Sequence, residues 1–220
     1  MMKAKEAVLD AILTQGMLPL FFYPDADVSL EIIRTLYKAG VRVLEFTNRG
    51  DEALDTFATL SKAVKQEMPD MHLGIGTVKT EADAEAFVAA GADFIVSPII
   101  DAGVAKVAAK NSMLWIPGCM TPTEIHQAQQ LDAALIKLFP ANILGQAFVS
   151  SIRDLFRGQL FIPTGGVEIE ADNISGWFRA GVCAVGMGSK LISKEVLDER
   201  LYDKLYANTI KALELIQMSR

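Results

Sequence analysis

Short apolar runs alternate with helical patterns along almost the whole chain, and this alternation restricts the possible folds more than any other feature. We interpret the apolar runs as eight strands, at residues 17–22, 41–46, 72–75, 93–96, 113–116, 134–139, 160–162 and 182–185. A stretch with helical spacing follows each run, and several of these stretches end at a glycine suited to a C-cap, as at Gly40, Gly91 and Gly181. Strands that alternate with helices form right-handed βαβ units and a parallel sheet.

Eight such units in 220 residues predict a single α/β domain, residues 1–220, folded as a (β/α)8 TIM barrel. A helical pattern at residues 3–15 precedes the first strand, so we expect an extra N-terminal helix. An open doubly wound sheet is the alternative that the alternation leaves open. In a barrel, functional residues are expected at the carboxyl ends of the strands.

Composition excludes several classes of function. The net charge is −6 and no run of Lys and Arg is present, which argues against a nucleic-acid partner. No apolar run approaches the roughly 18 residues of a membrane span, and the charged N-terminal segment does not resemble a signal peptide. Two cysteines, Cys119 and Cys183, cannot build a disulfide framework, so we expect a reducing, cytoplasmic setting.

Lys137 lies inside an apolar run, from Leu135 to Phe139, that indicates a strand buried on both faces. One interpretation is a lysine whose stem crosses apolar surface while its ammonium group reaches water at the strand end. The other is an amine kept partly neutral so that it can attack a carbonyl group. A strand covered on both faces gives the ammonium group no lateral route to water, which favours the second interpretation.

Glu45 is the second charged residue within a predicted strand, on the same strand face as Val41 and Val43. It could form a structural ion pair with Arg42 or Arg49. Alternatively, it could act as the general acid and base that a lysine nucleophile requires, because carbinolamine formation, dehydration and C–C cleavage each need a proton transfer. Arg49 offers a bidentate guanidinium for a carboxylate or phosphate.

Two glycine-rich segments, Thr164-Gly165-Gly166 and Gly188-Ser189, follow the last two predicted strands. Glycines there allow backbone N–H groups to approach an anion closely, and the loops after strands seven and eight are a frequent phosphate site in barrels. Ordinary turn glycines are the alternative explanation. Only two histidines, His72 and His126, are present, and no spacing assembles a three-ligand metal site, so the sequence predicts no metal.

Six short motifs, each present once, follow one another along most of the chain. They are VLEFTNR at 43–49, GIGTV at 74–78, IVSP at 95–98, PGCMTPTE at 117–124, IKLFPA at 136–141 and PTGGV at 163–167. As a set, they resemble the class I 2-keto-3-deoxy-6-phosphogluconate (KDPG) aldolases and the related 4-hydroxy-2-oxoglutarate (KHG) aldolases. The chain departs from the usual family pattern at Asn48, Ile99 and Asn142, where leucine, glycine and glutamate are common.

The resemblance implies a homotrimeric (β/α)8 barrel that uses no metal or other cofactor and acts on a small, phosphorylated 2-keto acid. It implies that Lys137 forms a Schiff base and that Glu45 moves protons. Arg49 and Thr77 are expected to hold the pyruvoyl carboxylate, and Pro98 and Phe139 to contact the substrate. The residues expected to line the distal, phosphate-holding part of the site are Thr164, Gly165, Gly166, Gly188 and Ser189.

The sequence therefore predicts cleavage of KDPG to pyruvate and glyceraldehyde 3-phosphate. Cleavage of 4-hydroxy-2-oxoglutarate, alone or as a second activity, uses the same chemistry and remains an alternative. A sugar-phosphate isomerase or epimerase would form no imine, and a non-catalytic barrel that binds sugar-acid phosphates would bind ligand without turnover.

Overall fold

The computed structural model describes residues 4–220, in which short strands alternate with helices. The strands are β1 Met17–Phe21, β2 Val43–Thr47, β3 His72–Gly76, β4 Phe94–Val96, β5 Leu114–Ile116, β6 Gly118–Cys119, β7 Leu135–Leu138, β8 Leu160–Pro163 and β9 Val185–Met187. The helices are α1 Ala4–Gln15, α2 Ala26–Lys38, α3 Ala53–Glu67, α4 Glu81–Ala89, α5 Ala102–Lys110, α6 Pro122–Gln130, α7 Ala141–Ile152, α8 Ala171–Ala180, α9 Lys194–Asp198 and α10 Tyr202–Met218.

All strand pairings are parallel, which confirms the predicted parallel α/β architecture. One sheet has the order β5-β4-β3-β2-β1-β9 and the other the order β6-β7-β8. From β1 to β5 each strand lies beside its predecessor in the chain. A doubly wound sheet instead reverses its strand order in the middle, and this sheet shows no such reversal between β1 and β5.

Several boundaries differ from the sequence prediction, and three of the differences have a physical cause. The fifth strand is divided into β5 and β6 at Pro117, which has no N–H to donate. The last strand begins at Val185 rather than at residue 182, because an apolar run does not fix where ladder hydrogen bonds begin. Helical spacing over about 196–217 predicts one long last helix, but the structure has two helices there, α9 and α10, separated near Arg200, whose φ is 54°. Residue 3, where the first helix was expected to begin, lies outside the described residues.

The strands bury side chains on both faces, and the two faces contribute to different clusters. Leu44 and Ile136 belong to the large cluster between strands and helices, whereas Val43 and Leu135 belong to a smaller cluster. This inner cluster collects residues from both sheets, so the sheets curl around it. Because side chains alternate along a strand, residues two positions beyond Val43 and Leu135 also point inward.

Helix α1 covers the amino ends of the strands. Its Val8 and Ile12 belong to the inner cluster. Gln15, at the end of α1, donates from its amide nitrogen to the carbonyl oxygens of Met17 and Val43 and accepts from the Val43 N–H. The carboxyl ends of the strands therefore remain the open side of the inner space. Within the described part of the chain, no helix is both long and apolar enough to cross a membrane.

Candidate active site

Lys137 and Glu45 meet inside the curled sheets, although they are far apart in the chain. Lys137 follows Leu135 by two residues on β7 and Glu45 follows Val43 by two on β2, so both side chains point inward. The Lys137 Nζ lies 3.9 Å from the Glu45 Oε1. Lys137 is 5% exposed and Glu45 is 1% exposed, so an amine and a carboxylate share a nearly dry environment.

The Glu45 carboxylate is poorly stabilised in its ionised form. Burial raises its pKa above the ordinary value, and the opposing attraction of Lys137 and then Arg49 does not cancel that effect. Among residues 4–220, the Oε1 atom has no hydrogen-bond partner, because the distance to Lys137 is too long for a hydrogen bond. A carboxylate with a raised pKa holds a proton more readily than an exposed one, which suits it to proton transfer.

The surroundings of Lys137 are built by neighbouring strands. The Phe139 ring lies 5.2 Å from the Nζ atom, within the range of a cation–π contact. Gly118 is the register partner of Lys137 on β6, and a Cβ atom there would lie 2.6 Å from the Pro98 carbonyl carbon. Glycine at 118 therefore allows the backbone of Pro98 to pack directly beside the strand that carries Lys137.

A cavity of about 430 Å³ opens at the carboxyl ends of β1, β2, β7, β8 and β9. The predicted substrate-binding residues that line it are Arg49, Phe139, Thr164, Gly165, Gly166, Gly188 and Ser189. Thr47 also lines the cavity. Phe139 follows Lys137 by two residues along the chain, and Thr47 follows Glu45 by two. The cavity therefore lies beside the lysine and the glutamate, and its volume suits a small metabolite.

The charged residues that line this cavity are all cationic: Arg49, Lys190 and Lys194. Lys190 forms an ion pair with Glu168 at 2.7 Å. Among the described residues, Lys194 forms no ion pair with a carboxylate. The cavity can therefore attract an anion. Lys194 is better placed than Lys190 to do so, because the charge of Lys190 is already balanced by Glu168.

Thr77 and Pro98 lie at the same ends of the strands but do not line this cavity. Thr77 directly follows β3 and has a φ of 63°. A β-branched residue in the left-handed region is strained, and such strain is concentrated at functional sites. Pro98 follows β4 by two residues and is half-buried. Thr77 and Pro98 therefore lie at the same end of the fold as Lys137, but outside the open cavity.

Among the residues to which the sequence interpretation gave no role, the structure brings Thr47, Gly76, Lys190 and Lys194 to the site. Thr47 could have been found, because it lies on the same strand face as Glu45. Lys190 and Lys194 follow the Gly188-Ser189 segment closely, but nothing in the sequence distinguishes them from ordinary surface lysines. A Cβ atom on Gly76 would lie 2.5 Å from the Glu45 Cδ, which only a structure can reveal.

No group of three or more His, Cys, Asp or Glu side chains in the described part of the chain could hold a metal ion. Cys119 and Cys183 are both free thiols, and burial raises the pKa of each, to about 12 and about 11. A thiol with a raised pKa is a poor nucleophile at neutral pH.

Comparisons with known proteins find one matching family and several similar structures. The family described as KDPG and KHG aldolase matches residues 9–208. A 2-dehydro-3-deoxy-phosphogluconate aldolase of Treponema pallidum is 31% identical over 74% of this chain and 76% of its own length. The solved structure of a 4-hydroxy-2-oxoglutarate/2-dehydro-3-deoxyphosphogluconate aldolase from TTHB1 has a TM-score of 0.81 and 30% identity, covering 94% of this chain and 98% of that one. A KDPG aldolase of Zymomonas mobilis ZM4, solved with 3-phosphoglycerate, has a TM-score of 0.79 and 25% identity, covering 93% and 94%.

Proposed function

Because the chain belongs to the KDPG and KHG aldolase family, whose members are carbon–carbon lyases, we propose that it is a class I aldolase for KDPG. The reaction would release pyruvate and glyceraldehyde 3-phosphate. One observation carries this proposal: a buried amine and a buried carboxylate lie 3.9 Å apart beside a cationic cavity. Imine chemistry requires a lysine nucleophile with a proton-transfer partner, and this pair supplies both.

Lys137 is the proposed nucleophile. Its neutral amine attacks the C2 carbonyl carbon, and loss of water from the carbinolamine gives a protonated imine. Removal of the C4 hydroxyl proton then breaks the C3–C4 bond, whose electron pair moves to the imine and forms an enamine. The aldehyde leaves, a proton is added at C3, and hydrolysis of the imine releases pyruvate and restores the lysine.

Glu45 is the proposed proton carrier for these steps. Its raised pKa allows the carboxyl group to hold a proton at one step and release it at the next. An oxygen atom of the substrate, or of a bridging water, can lie within about 3 Å of both Nζ and Oε1, since those atoms are 3.9 Å apart. The same environment excludes bulk water, which strengthens each electrostatic interaction with the developing charges.

The cavity is the proposed binding region for the rest of the substrate. Arg49 and Thr77 are proposed to hold the pyruvoyl carboxylate, and Pro98 and Phe139 to contact the reacting carbons. The distal phosphate would be bound by the backbone at Thr164, Gly165, Gly166, Gly188 and Ser189. The cationic lining supports an anionic substrate, and the Zymomonas structure holds 3-phosphoglycerate, which is also an anionic phosphorylated acid.

Borohydride trapping tests the proposal. The protein is incubated with pyruvate and borohydride, and any mass adduct is located by peptide mapping. We expect one reduced pyruvate adduct, on Lys137. Pyruvate binding without an adduct would instead support an isomerase or a non-catalytic binding protein.

The name of the TTHB1 relative includes both activities, which favours cleavage of 4-hydroxy-2-oxoglutarate as a second activity. The chemistry at Lys137 is the same for both substrates. The shorter substrate lacks a phosphate, so it would not use the glycine-rich end of the cavity. We therefore expect a higher kcat/KM for KDPG than for 4-hydroxy-2-oxoglutarate. Measuring both values on one preparation identifies the preferred substrate.

We further propose that the two sheets close into one (β/α)8 barrel with α1 as an extra element. Backbone hydrogen bonds from Cys183 to Phe161 and from Lys137 to Pro117, with the Thr164–Gly186 bridge, support closure. We also propose a homotrimer in the cytoplasm. Three exposed apolar side chains after β4, β6 and β7 support self-association: Ile99, Met120 and Ile143. Light scattering on the purified protein would measure the oligomer mass.

A further inference from the structure

Two glycines on β3, Gly74 and Gly76, face the inner space but make room for different neighbours. A Cβ atom on Gly74 would lie 2.5 Å from the Cδ2 atom of the buried Phe94 ring. A Cβ atom on Gly76 would lie 2.5 Å from the Cδ and 2.7 Å from the Cγ of Glu45, and closer still to Oε1. Gly74 therefore accommodates the apolar core, whereas Gly76 accommodates the carboxylate.

The torsion angles of Gly76 do not explain why glycine is present. Its φ is not in the left-handed region, unlike that of Gly165 or Gly166. Alanine could therefore adopt the same backbone, and only the space beside Glu45 distinguishes the two residues. Contacts this short between a Cβ atom and a buried side chain force one of the two groups to move.

Packing also has to position the carboxylate, because hydrogen bonding does not fix its Oε1 atom. Among the described residues that atom has no hydrogen-bond partner. Lys137, at 3.9 Å, attracts the carboxylate without restricting it as a hydrogen bond would. The volume left free by Gly76 is thus occupied by the group whose distance from Lys137 matters for proton transfer.

We propose that Gly76 is a positioning residue, which allows the Glu45 carboxylate to lie beside Lys137 at the distance that proton transfer requires. This inference rests on the proposed function, since it assigns proton transfer to Glu45. A side chain at residue 76 would displace the carboxylate while leaving the lysine and the cavity unchanged. Catalysis is sensitive to such displacements, because a shift of about 1 Å can lower a rate by about a hundredfold.

The test compares Gly76→Ala with Gly74→Ala, a matched control on the same face of the same strand. For Gly76→Ala we expect kcat to fall by about a hundredfold with little change in KM, and the acid limb of the pH–rate profile to shift. For Gly74→Ala, which crowds Phe94, we expect lower thermal stability but an unchanged profile and kcat per folded molecule. A Gly76→Ala enzyme with wild-type kcat and pH profile would overturn the proposal.

A second variant keeps the test decisive if Gly76→Ala folds poorly. Glu45→Asp shortens the side chain by one methylene, which provides space for the added methyl group. In that background we expect Gly76→Ala to lower kcat by less than about threefold, so that the two effects are strongly non-additive. Additive losses, or a double variant that does not fold although Glu45→Asp does, would show that the clash lies elsewhere and would overturn the proposal.

These results are distinguishable from a failure of the proposed function. If Glu45→Gln leaves turnover unchanged, Glu45 does not carry the proton and the function assigned to it is wrong, whatever Gly76 does. If Glu45→Gln slows turnover while Gly76→Ala has wild-type kcat and pH profile, the aldolase mechanism stands and only the positioning role is wrong.

Discussion

The buried pair and the open cavity are adjacent regions of one site with opposite physical character. Lys137 and Glu45 are almost completely buried and are supplied by the interiors of two strands. The cavity is formed largely by the loops that follow the strands, and its Lys190 and Lys194 are exposed. The pair has few degrees of freedom and little water, whereas the cavity is solvated and tolerates substitution.

This difference separates chemistry from substrate choice. Charges in the buried pair act in a low effective dielectric, so the loss of one of them should have a large effect on catalysis. Charges around the cavity are screened by water and ions, so each contributes modestly to binding. We therefore expect substitutions in the pair to lower kcat and substitutions in the cavity to change KM.

The largest effect is expected from Lys137→Ala, which removes the proposed nucleophile. Turnover should be abolished and the borohydride-trapped pyruvate adduct should disappear, because no other amine lies beside Glu45 in the described structure. Steady-state kinetics and intact mass together measure this. Lys62→Ala, an exposed lysine on α3, is the control and should behave as wild type. Near-normal turnover by the Lys137 variant would rule out the covalent mechanism.

Glu45→Gln is expected to have the next largest effect, a decrease in kcat of about two to four orders of magnitude. Glutamine keeps the shape of the side chain but cannot exchange a proton. KM should change little, because the reacting geometry and the cavity are preserved. A rate equal to that of the wild type would reduce Glu45 to a structural partner of Lys137.

Sequence alone identified the buried pair well, because charged residues stand out within apolar strands. Lys137 and Glu45 interrupt runs that are otherwise buried on both faces. Of the cationic lining, Arg49 was predicted, but Lys190 and Lys194 were not, since nothing in the sequence shows whether a surface lysine faces a ligand or open water. The free volume at Gly76 depends on the neighbouring strand, and strand proximity is a property of register that composition does not encode.

A smaller effect is expected at the distal end of the cavity. Lys194→Gln should raise KM for KDPG by about three- to tenfold with kcat unchanged, because a uniform binding interaction is lost. Lys190→Gln should raise it less, since Lys190 is already paired with Glu168. Both effects should weaken as salt is added. Equal KM values for wild type and Lys194→Gln at low salt would remove Lys194 from the substrate-binding region.

The smallest effect concerns stability, where Glu45→Gln should be beneficial. Burial raises the pKa of Glu45 above its ordinary value of 4.5, so the folded protein favours the protonated carboxyl group. The stability contributed by that form is fully present below the unfolded pKa and is lost as pH rises through the folded pKa. Glutamine is neutral throughout, so at neutral pH the variant should unfold about two to five degrees higher than the wild type, with no difference near pH 4.

Glu124 provides the opposite case within the same chain. Partial burial opposes ionisation there, but hydrogen bonds from the Met120 N–H, the Thr121 hydroxyl and the Thr121 N–H outweigh it and lower the pKa of Glu124. The stability contributed by the ionised Glu124 carboxylate is therefore present above the unfolded pKa and is lost as pH falls through the folded pKa. Glu124→Gln should lower the melting temperature at pH 7, whereas Glu45→Gln should raise it. A lower melting temperature for both variants would mean that burial does not penalise the Glu45 carboxylate, and the case for its proton exchange would weaken accordingly.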